Sequence, residues 1–520
     1  MNNYLDVNKL IKEMSIEEKV AQMLFFAFHG TEFNSDLEVL TKEINVGGII
    51  HFARNIINPE QVNKLNKDIQ DHSKIPAFIG IDQEGGVVQR IIDGVTPFPG
   101  AMAVSASGYS SYELTKSVGT DLRNMNYNMV FAPVADVNNN PLNPVINSRS
   151  FGDDPNEVSK HVYEAWKGFD DSGIIPTLKH FPGHGDTSVD SHISLPTVNK
   201  TKAELEEIEL VPFKENILKN VPGIMVSHVL YKAFDDVYPA TLSKNILNDY
   251  LKDELGYEGL IISDSLTMGA IQENFGTREI IKQSCNAGLD LLMFCGKAGV
   301  SDEVNIFNTF VSLVKSGEIS IDRVNYSVRK ILNYKNKYCF NSCSKYVYPS
   351  KESIEYGLLV SDNSTTLVKA NGLIPLRKED KALIIFPRIR LFSLVENEND
   401  EYATFGSVLK KYGYDYDELI VSEELLDIET IKDIQKKYNK IIFATYNIRE
   451  GDYQTKIYDL LDKEKVIAIS MRSPYDIKYL PNVLNYICIY EPTKLALKSL
   501  ALNIIGQRKF AGKLPVKLDN

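Results

Sequence analysis

Eight short apolar segments, each running into a polar residue or a turn, recur over the first 300 residues: 24–28, 46–52, 77–82, 129–136, 176–180, 223–228, 259–264 and 289–294. The stretches between them are amphipathic with a helical period, as in 204–218 and 243–255, and open near a Ser or Thr able to cap a helix. Strands that alternate with helices make parallel βα units, because a parallel partner can be reached only through a crossover. Eight such units predict a closed (β/α)8 barrel, a fold that carries its chemistry at the C-terminal ends of the strands. The polar residues at those ends are Asp82, Asp136, Lys179 with His180, His228 and Asp264.

A helical stretch at 322–338 and an irregular one at 339–350 come next. They set the expected division into a catalytic barrel (1–338), a linker (339–350) and a C-terminal domain (351–520). In that last part, 382–386, 419–421, 440–446, 466–471 and 486–490 read as strands, with helices such as 429–438 and 492–505 between them. The pattern predicts a smaller three-layer α/β sandwich with a parallel sheet. It contains no histidine and no glycine-rich phosphate loop.

A net charge of −12 on 520 residues argues against nucleic acid, which needs a basic face. No apolar run approaches the roughly 18 residues of a bilayer span, so no membrane partner is expected. The N-terminus lacks a basic region followed by an apolar one, and the cysteines are few and odd in number (Cys285, Cys295, Cys339, Cys343, Cys488). Both features place the chain in the cytoplasm. Cys339 and Cys343 have no second Cys/His pair nearby to complete a zinc site. The sequence carries no signal of oligomeric state.

The densest chemistry lies in 179–192, Lys-His-Phe-Pro-Gly-His-Gly-Asp-Thr-Ser-Val-Asp-Ser-His. Pro182, Gly183 and Gly185 rule out one continuous helix, so the segment is a strand end entering a loop. Asp190 and His192 can meet in a turn, the carboxylate fixing the tautomer while Nε2 gives or takes a proton; an exposed loop without a role has the same pattern. Asp264 points into the barrel mouth or caps the helix that follows. Asp82, Arg90, Arg149 and Lys179 can hold a hydroxylated ligand or pair on the surface. His180 and His184 have a zinc-like spacing, but the helix that spacing needs is broken. The glycines of the 183–192 loop suggest that it closes over the ligand.

These residues resemble the β-N-acetylglucosaminidases of glycoside hydrolase family 3. The segment Lys-His-Phe-Pro-Gly-His-Gly-Asp-Thr followed by Asp-Ser-His is similar to the family signature. So are 14–23, the Asp-Gln-Glu-Gly-Gly of 81–90, the Arg-Ser-Phe-Gly of 147–152 and the strand of 262–268, while Gly512-Lys513-Leu514-Pro515-Val516 resembles the closing motif of two-domain members. The resemblance implies Asp264 as nucleophile, His192 as acid/base held by Asp190, and Asp82, Arg90, Arg149, Lys179 and His180 as ligands of the terminal sugar. It implies a small-molecule carbohydrate substrate, retaining exo-hydrolysis of terminal N-acetylglucosamine from muropeptides or chitin fragments, and no cofactor or metal. A phosphorylase on the same scaffold, a β-glucosidase and a metal-dependent barrel hydrolase are the alternatives. Val87 stands where many relatives have arginine, which touches the outer rim rather than sugar binding.

Overall fold

The structure, a computed structural model, describes residues 4–187, 195–296, 299–340, 342–389, 396, 403–425 and 428–518. Its first half is built on eight parallel strands: β1 Leu24–Phe26, β2 Gly48–His51, β3 Phe78–Ile81, β4 Met129–Val130, β5 Ile175–Phe181, β6 Gly223–Val226, β7 Leu260–Ser263 and β8 Leu292–Phe294. Consecutive strands pair in order from β1 to β7, and β1 also pairs β8. A parallel bridge between Ile262 and Leu291 completes the ring. All eight apolar segments of the sequence are barrel strands. They are buried on both faces, which is why they read as continuous apolar runs rather than as alternating ones.

The closing seam is held by a buried acid. Asp290 accepts the Ile261 amide (3.1 Å), the Ser327 hydroxyl (2.6 Å) and Lys330 Nζ (2.9 Å). Arg323 lies 3.6 Å away. The second half is a six-stranded sheet in the order β9-β14-β13-β12-β10-β11, from β9 Thr366–Lys369, β10 Ala382–Pro387, β11 Asp417–Val421, β12 Lys440–Thr445, β13 Val466–Ser470 and β14 Tyr486–Cys488. Alternate residues feed the cores on its two faces. Leu383, Ile385, Ile441 and Phe443 enter one, and Ile384, Phe386, Ile442 and Ala444 the other. This is the expected three-layer sandwich, with one difference: β9 is an antiparallel edge strand on β14.

The two halves share packing. Met102, Ala103 and Ala106, from the barrel helix Ala101–Ser107, belong to a core of the second sheet. The helix Lys351–Ser364 packs on that same helix and on Lys494–Ile504. The stretch before it is tied to the barrel, with the Cys343 amide on Asn126 Oδ1 (2.7 Å) and the Tyr346 hydroxyl on the Gly94 carbonyl (2.7 Å). No described helix is long and apolar enough to cross a membrane.

Candidate active site

The C-terminal ends of the strands surround a cavity of about 460 Å³, within the usual range for small-ligand sites. Ile50, Phe131, Met225 and Met293 give it an apolar floor, and its polar lining includes Asp82, Arg90, Arg149, Lys179, His180, His184 and Asp264. Six of the eight residues expected to carry function therefore meet in one cavity. Asp190 and His192 lie outside the described residues.

One wall is a chain of ion pairs. Asp82 follows β3 directly, and its Oδ1 accepts Lys179 Nζ at 2.9 Å while Oδ2 lies 3.5 Å from Arg90. Lys179 also reaches Glu84 Oε1 at 2.6 Å. Glu84 in turn receives a two-pronged contact from Arg149, Nε to Oε2 and Nη2 to Oε1, both at 2.8 Å. Burial alone would raise the Glu84 carboxyl, but Arg149 and Lys179 outweigh it and hold the group well below the usual carboxylate range. Burial would likewise lower Arg149 and Lys179, and their carboxylate partners keep both firmly charged. The wall is thus fixed before any ligand arrives, with donors and acceptors in set positions.

The loop leaving β5 is wound around Asp136. That carboxylate accepts the His180 amide (3.1 Å), His180 Nδ1 (2.7 Å) and the His184 amide (2.6 Å). Because a carboxylate only accepts, Nδ1 of His180 carries the proton. Burial favours the neutral acid, yet His180 and His184 hold Asp136 below its ordinary range. Asn143 secures the next turn by donating to the carbonyls of His184 (2.8 Å) and Gly185 (2.9 Å). Gly185 has no alternative there, since a Cβ would stand 1.7 Å from the Val137 carbonyl. Both roots of the segment bearing Asp190 and His192 are anchored: Lys200 pairs with Asp186 (2.8 Å) and Glu209 (2.5 Å), and Thr197–Val198 pairs with Leu230–Tyr231.

Asp264 emerges immediately after β7 on the cavity lining, where its Oδ1 accepts the Ser265 amide at 2.7 Å. His228 Nε2 donates to the Ser265 carbonyl (2.8 Å), buttressing the turn from β6. His180 Nδ1 is engaged by Asp136 and His184 Nδ1 lies 2.8 Å from the Thr187 hydroxyl, and among the described residues no cluster of three His, Cys, Asp or Glu is arranged to hold a metal. Sequence reasoning missed Glu84 and the structural part of Asp136. Glu84 stood inside the quoted Asp-Gln-Glu-Gly-Gly segment, and an acid beside two glycines after a strand end was the available signal. It also missed Glu396, which reaches the cavity from the second half of the chain, paired to the fully buried Arg472 at 2.6 Å.

A complete βα barrel with a preorganised polar cavity at its C-terminal mouth defines a barrel enzyme acting on a polar small molecule. The family model for the glycosyl hydrolase family 3 N-terminal domain matches residues 15–334. The chain belongs to glycoside hydrolase family 3. It is similar to a family 3 β-N-acetylglucosaminidase structure from Paenibacillus sp. str. FPU-7, with 36% identity, a TM-score of 0.90, and coverage of 97% of this chain and 99% of that one. Beta-hexosaminidase A of Pseudoalteromonas piscicida is 29% identical over 94% of this chain and 92% of its own length. The beta-hexosaminidase of Alkalilimnicola ehrlichii is 35% identical over 52% of this chain and 80% of its own.

Proposed function

We propose that the protein is an exo-acting, retaining β-N-acetylglucosaminidase that removes terminal N-acetylglucosamine from cell-wall muropeptides or chitin-type oligosaccharides. The observation that carries this reading is the convergence of Asp264 with the Asp82–Lys179–Glu84–Arg149 wall and His180 in one cavity, in a chain similar over nearly its whole length to a β-N-acetylglucosaminidase. In this mechanism the wall, with Arg90, binds the hydroxyls of the terminal sugar. Asp264 attacks the anomeric carbon, and protonated His192 gives its proton to the departing oxygen. Neutral His192, held by Asp190, then takes a proton from water, which releases the sugar from the aspartyl ester. The anchored roots of the 188–194 segment, beside His184, support its delivery to this cavity. The unpaired cysteines agree with a cytoplasmic place in fragment recycling.

The test is hydrolysis of 4-nitrophenyl N-acetyl-β-glucosaminide against the matching glucoside, with Asp264→Ala and His192→Ala alongside. We expect preference for the acetamido sugar, a loss of roughly 10⁴-fold or more without Asp264, and a loss of about 10²–10⁴-fold without His192. Activity on neither sugar, or variants that keep wild-type rates, would refute the assignment. Assaying in phosphate buffer for a sugar 1-phosphate separates hydrolysis from phosphorolysis.

A further inference from the structure

His228 comes two residues after β6 and is one of the polar residues that end the apolar segments, yet it lies behind the cavity lining, 1% exposed. Burial alone keeps a histidine neutral, because desolvation disfavours its charge. The hydrogen bonds around this one call for the charged form. Nε2 lies 2.8 Å from the Ser265 carbonyl, which can only accept, so Nε2 carries a proton. Nδ1 lies 2.7 Å from the Thr241 hydroxyl, and that hydroxyl donates to the Ser227 carbonyl at 2.7 Å. A hydroxyl has one proton to give, so Thr241 accepts from Nδ1, and Nδ1 carries a proton as well. A neutral ring would need Thr241 to turn its proton to Nδ1. The carbonyl of the buried Ser227 would then lose its donor, and no other among the described residues replaces it.

The turn after β7 does not need a histidine to keep its shape. The Asp264 amide donates to the Val226 carbonyl (3.1 Å) and the Leu266 amide to the Met293 carbonyl (2.8 Å), while the Ser265 and Thr267 hydroxyls meet at 2.8 Å. What His228 adds is a charge behind the residue next to Asp264. Asp264 is the carboxylate on the turn that His228 grips, and Ser227, Thr241 and Ser265 are uncharged. From β5, the other neighbour of β6, Lys179 and His180 face the same mouth. Both are committed elsewhere, Lys179 to Asp82 and Glu84 and His180 to Asp136. An imidazolium and a carboxylate on one turn each favour the other's ionised form.

Resting on the glycosidase reading above, we propose that His228 is a positioning residue held as an imidazolium, and that its charge keeps Asp264 ionised. It touches no ligand and acts through the Ser265 peptide. Its proton chain runs from Nε2 to the Ser265 carbonyl on one side, and from Nδ1 through the Thr241 hydroxyl to the Ser227 carbonyl on the other. In the proposed reaction Asp264 attacks as an anion and departs as an anion when its ester is hydrolysed. A fixed cation behind its turn favours that anion at both ends of the cycle.

The experiment has two arms. The first is the pH dependence of kcat/KM on 4-nitrophenyl N-acetyl-β-glucosaminide for wild type, His228→Gln and Thr241→Val. The acid limb reports protonation of Asp264 in the free enzyme. His228→Gln keeps a donor for Ser265 without the charge, and Thr241→Val removes the acceptor that holds the Nδ1 proton. Both should move the acid limb up by about one pH unit, whereas a merely structural brace would lower the rate equally at every pH. The second arm is nitrogen-15 NMR of histidine-labelled protein at about pH 8, where an ordinary histidine, with a pKa of about 6.5, is neutral. The signal lost in His228→Gln, or displaced in Thr241→Val, should show both ring nitrogens protonated. One unprotonated nitrogen on that signal, or acid limbs that stay put in the variants, overturns the proposal. The NMR arm still decides the charge if one variant fails to fold. Wild-type turnover with unmoved limbs sinks this inference alone. No wild-type turnover at any pH sinks the glycosidase reading, and the role assigned to His228 with it.

Discussion

Glu84 illustrates how much of the site rests on one side chain. Its two oxygens serve Arg149 and Lys179, and all three side chains are almost wholly shielded from solvent. Glu84→Gln would leave two buried cations short of a counter-charge, at a cost of about 3–5 kcal/mol. A lower urea midpoint at unchanged slope, together with a raised KM, is the expected result. His184 gives a pH prediction. Burial, with repulsion from His180, lowers it from 6.5 to about 4, so the folded state resists taking up the proton that the unfolded chain accepts. The stability it contributes is complete above about pH 6.5 and falls as the pH drops through about 4, by up to roughly 3 kcal/mol. Urea midpoints for wild type and His184→Gln should therefore diverge on going from pH 7 to 5, the wild type losing more. Asp264, Lys179 and His180 were legible in the sequence because each ends or sits in an apolar run. The job of Asp136 was not, because its partners His180 and His184 lie 44 and 48 residues away and come to it only when β4 and β5 pair.

At the scale of elements, apolar runs marked every barrel strand, since burial on both faces leaves no other composition open. Helix limits were harder. The amphipathic stretch 204–218 is two helices, Lys202–Glu207 and Val211–Ile217, because Pro212 has no amide to donate and starts the second one. The edge strand β9 escaped notice because its four residues, Thr-Leu-Val-Lys, grade from buried to exposed without alternating. The seam acid Asp290 sits before β8, on the side of the barrel away from the cavity. Asp290→Ala would strand Lys330 and Arg323 and unlatch β7 from the segment leading into β8, with an expected loss of about 3–5 kcal/mol. Activity per folded molecule should be retained, so denaturation midpoints and specific activity measured on the same preparation will separate.

At the scale of the whole molecule, the halves meet behind the ion-paired wall of the cavity. Glu491 accepts the Gly100 amide at 2.7 Å and lies against Gly86, where a Cβ would come within 2.4 Å of its carboxylate. Gly86, at φ +59°, is thus required by both its backbone and its neighbour. Burial pushes Glu491 from 4.5 up to about 7. A raised folded value means that its contribution is complete below about pH 4.5 and is lost as the pH rises through about 7. Glu491→Gln keeps an acceptor for Gly100 without the charge, so it should match wild type near pH 5 and exceed it at pH 8 by up to roughly 3 kcal/mol. Melting curves at the two pH values check this. None of this junction was legible in the sequence, because its contacts join residues nearly 400 positions apart.

The same junction has a consequence for biogenesis. Met102, Ala103 and Ala106 face a core completed by Tyr486, Cys488 and Val516. On a ribosome adding ~5–20 residues per second, that apolar helix face emerges tens of seconds before the strand that covers it. A nascent barrel therefore carries a sticky patch through most of its own synthesis, and chaperone demand should track the translation speed of the second half.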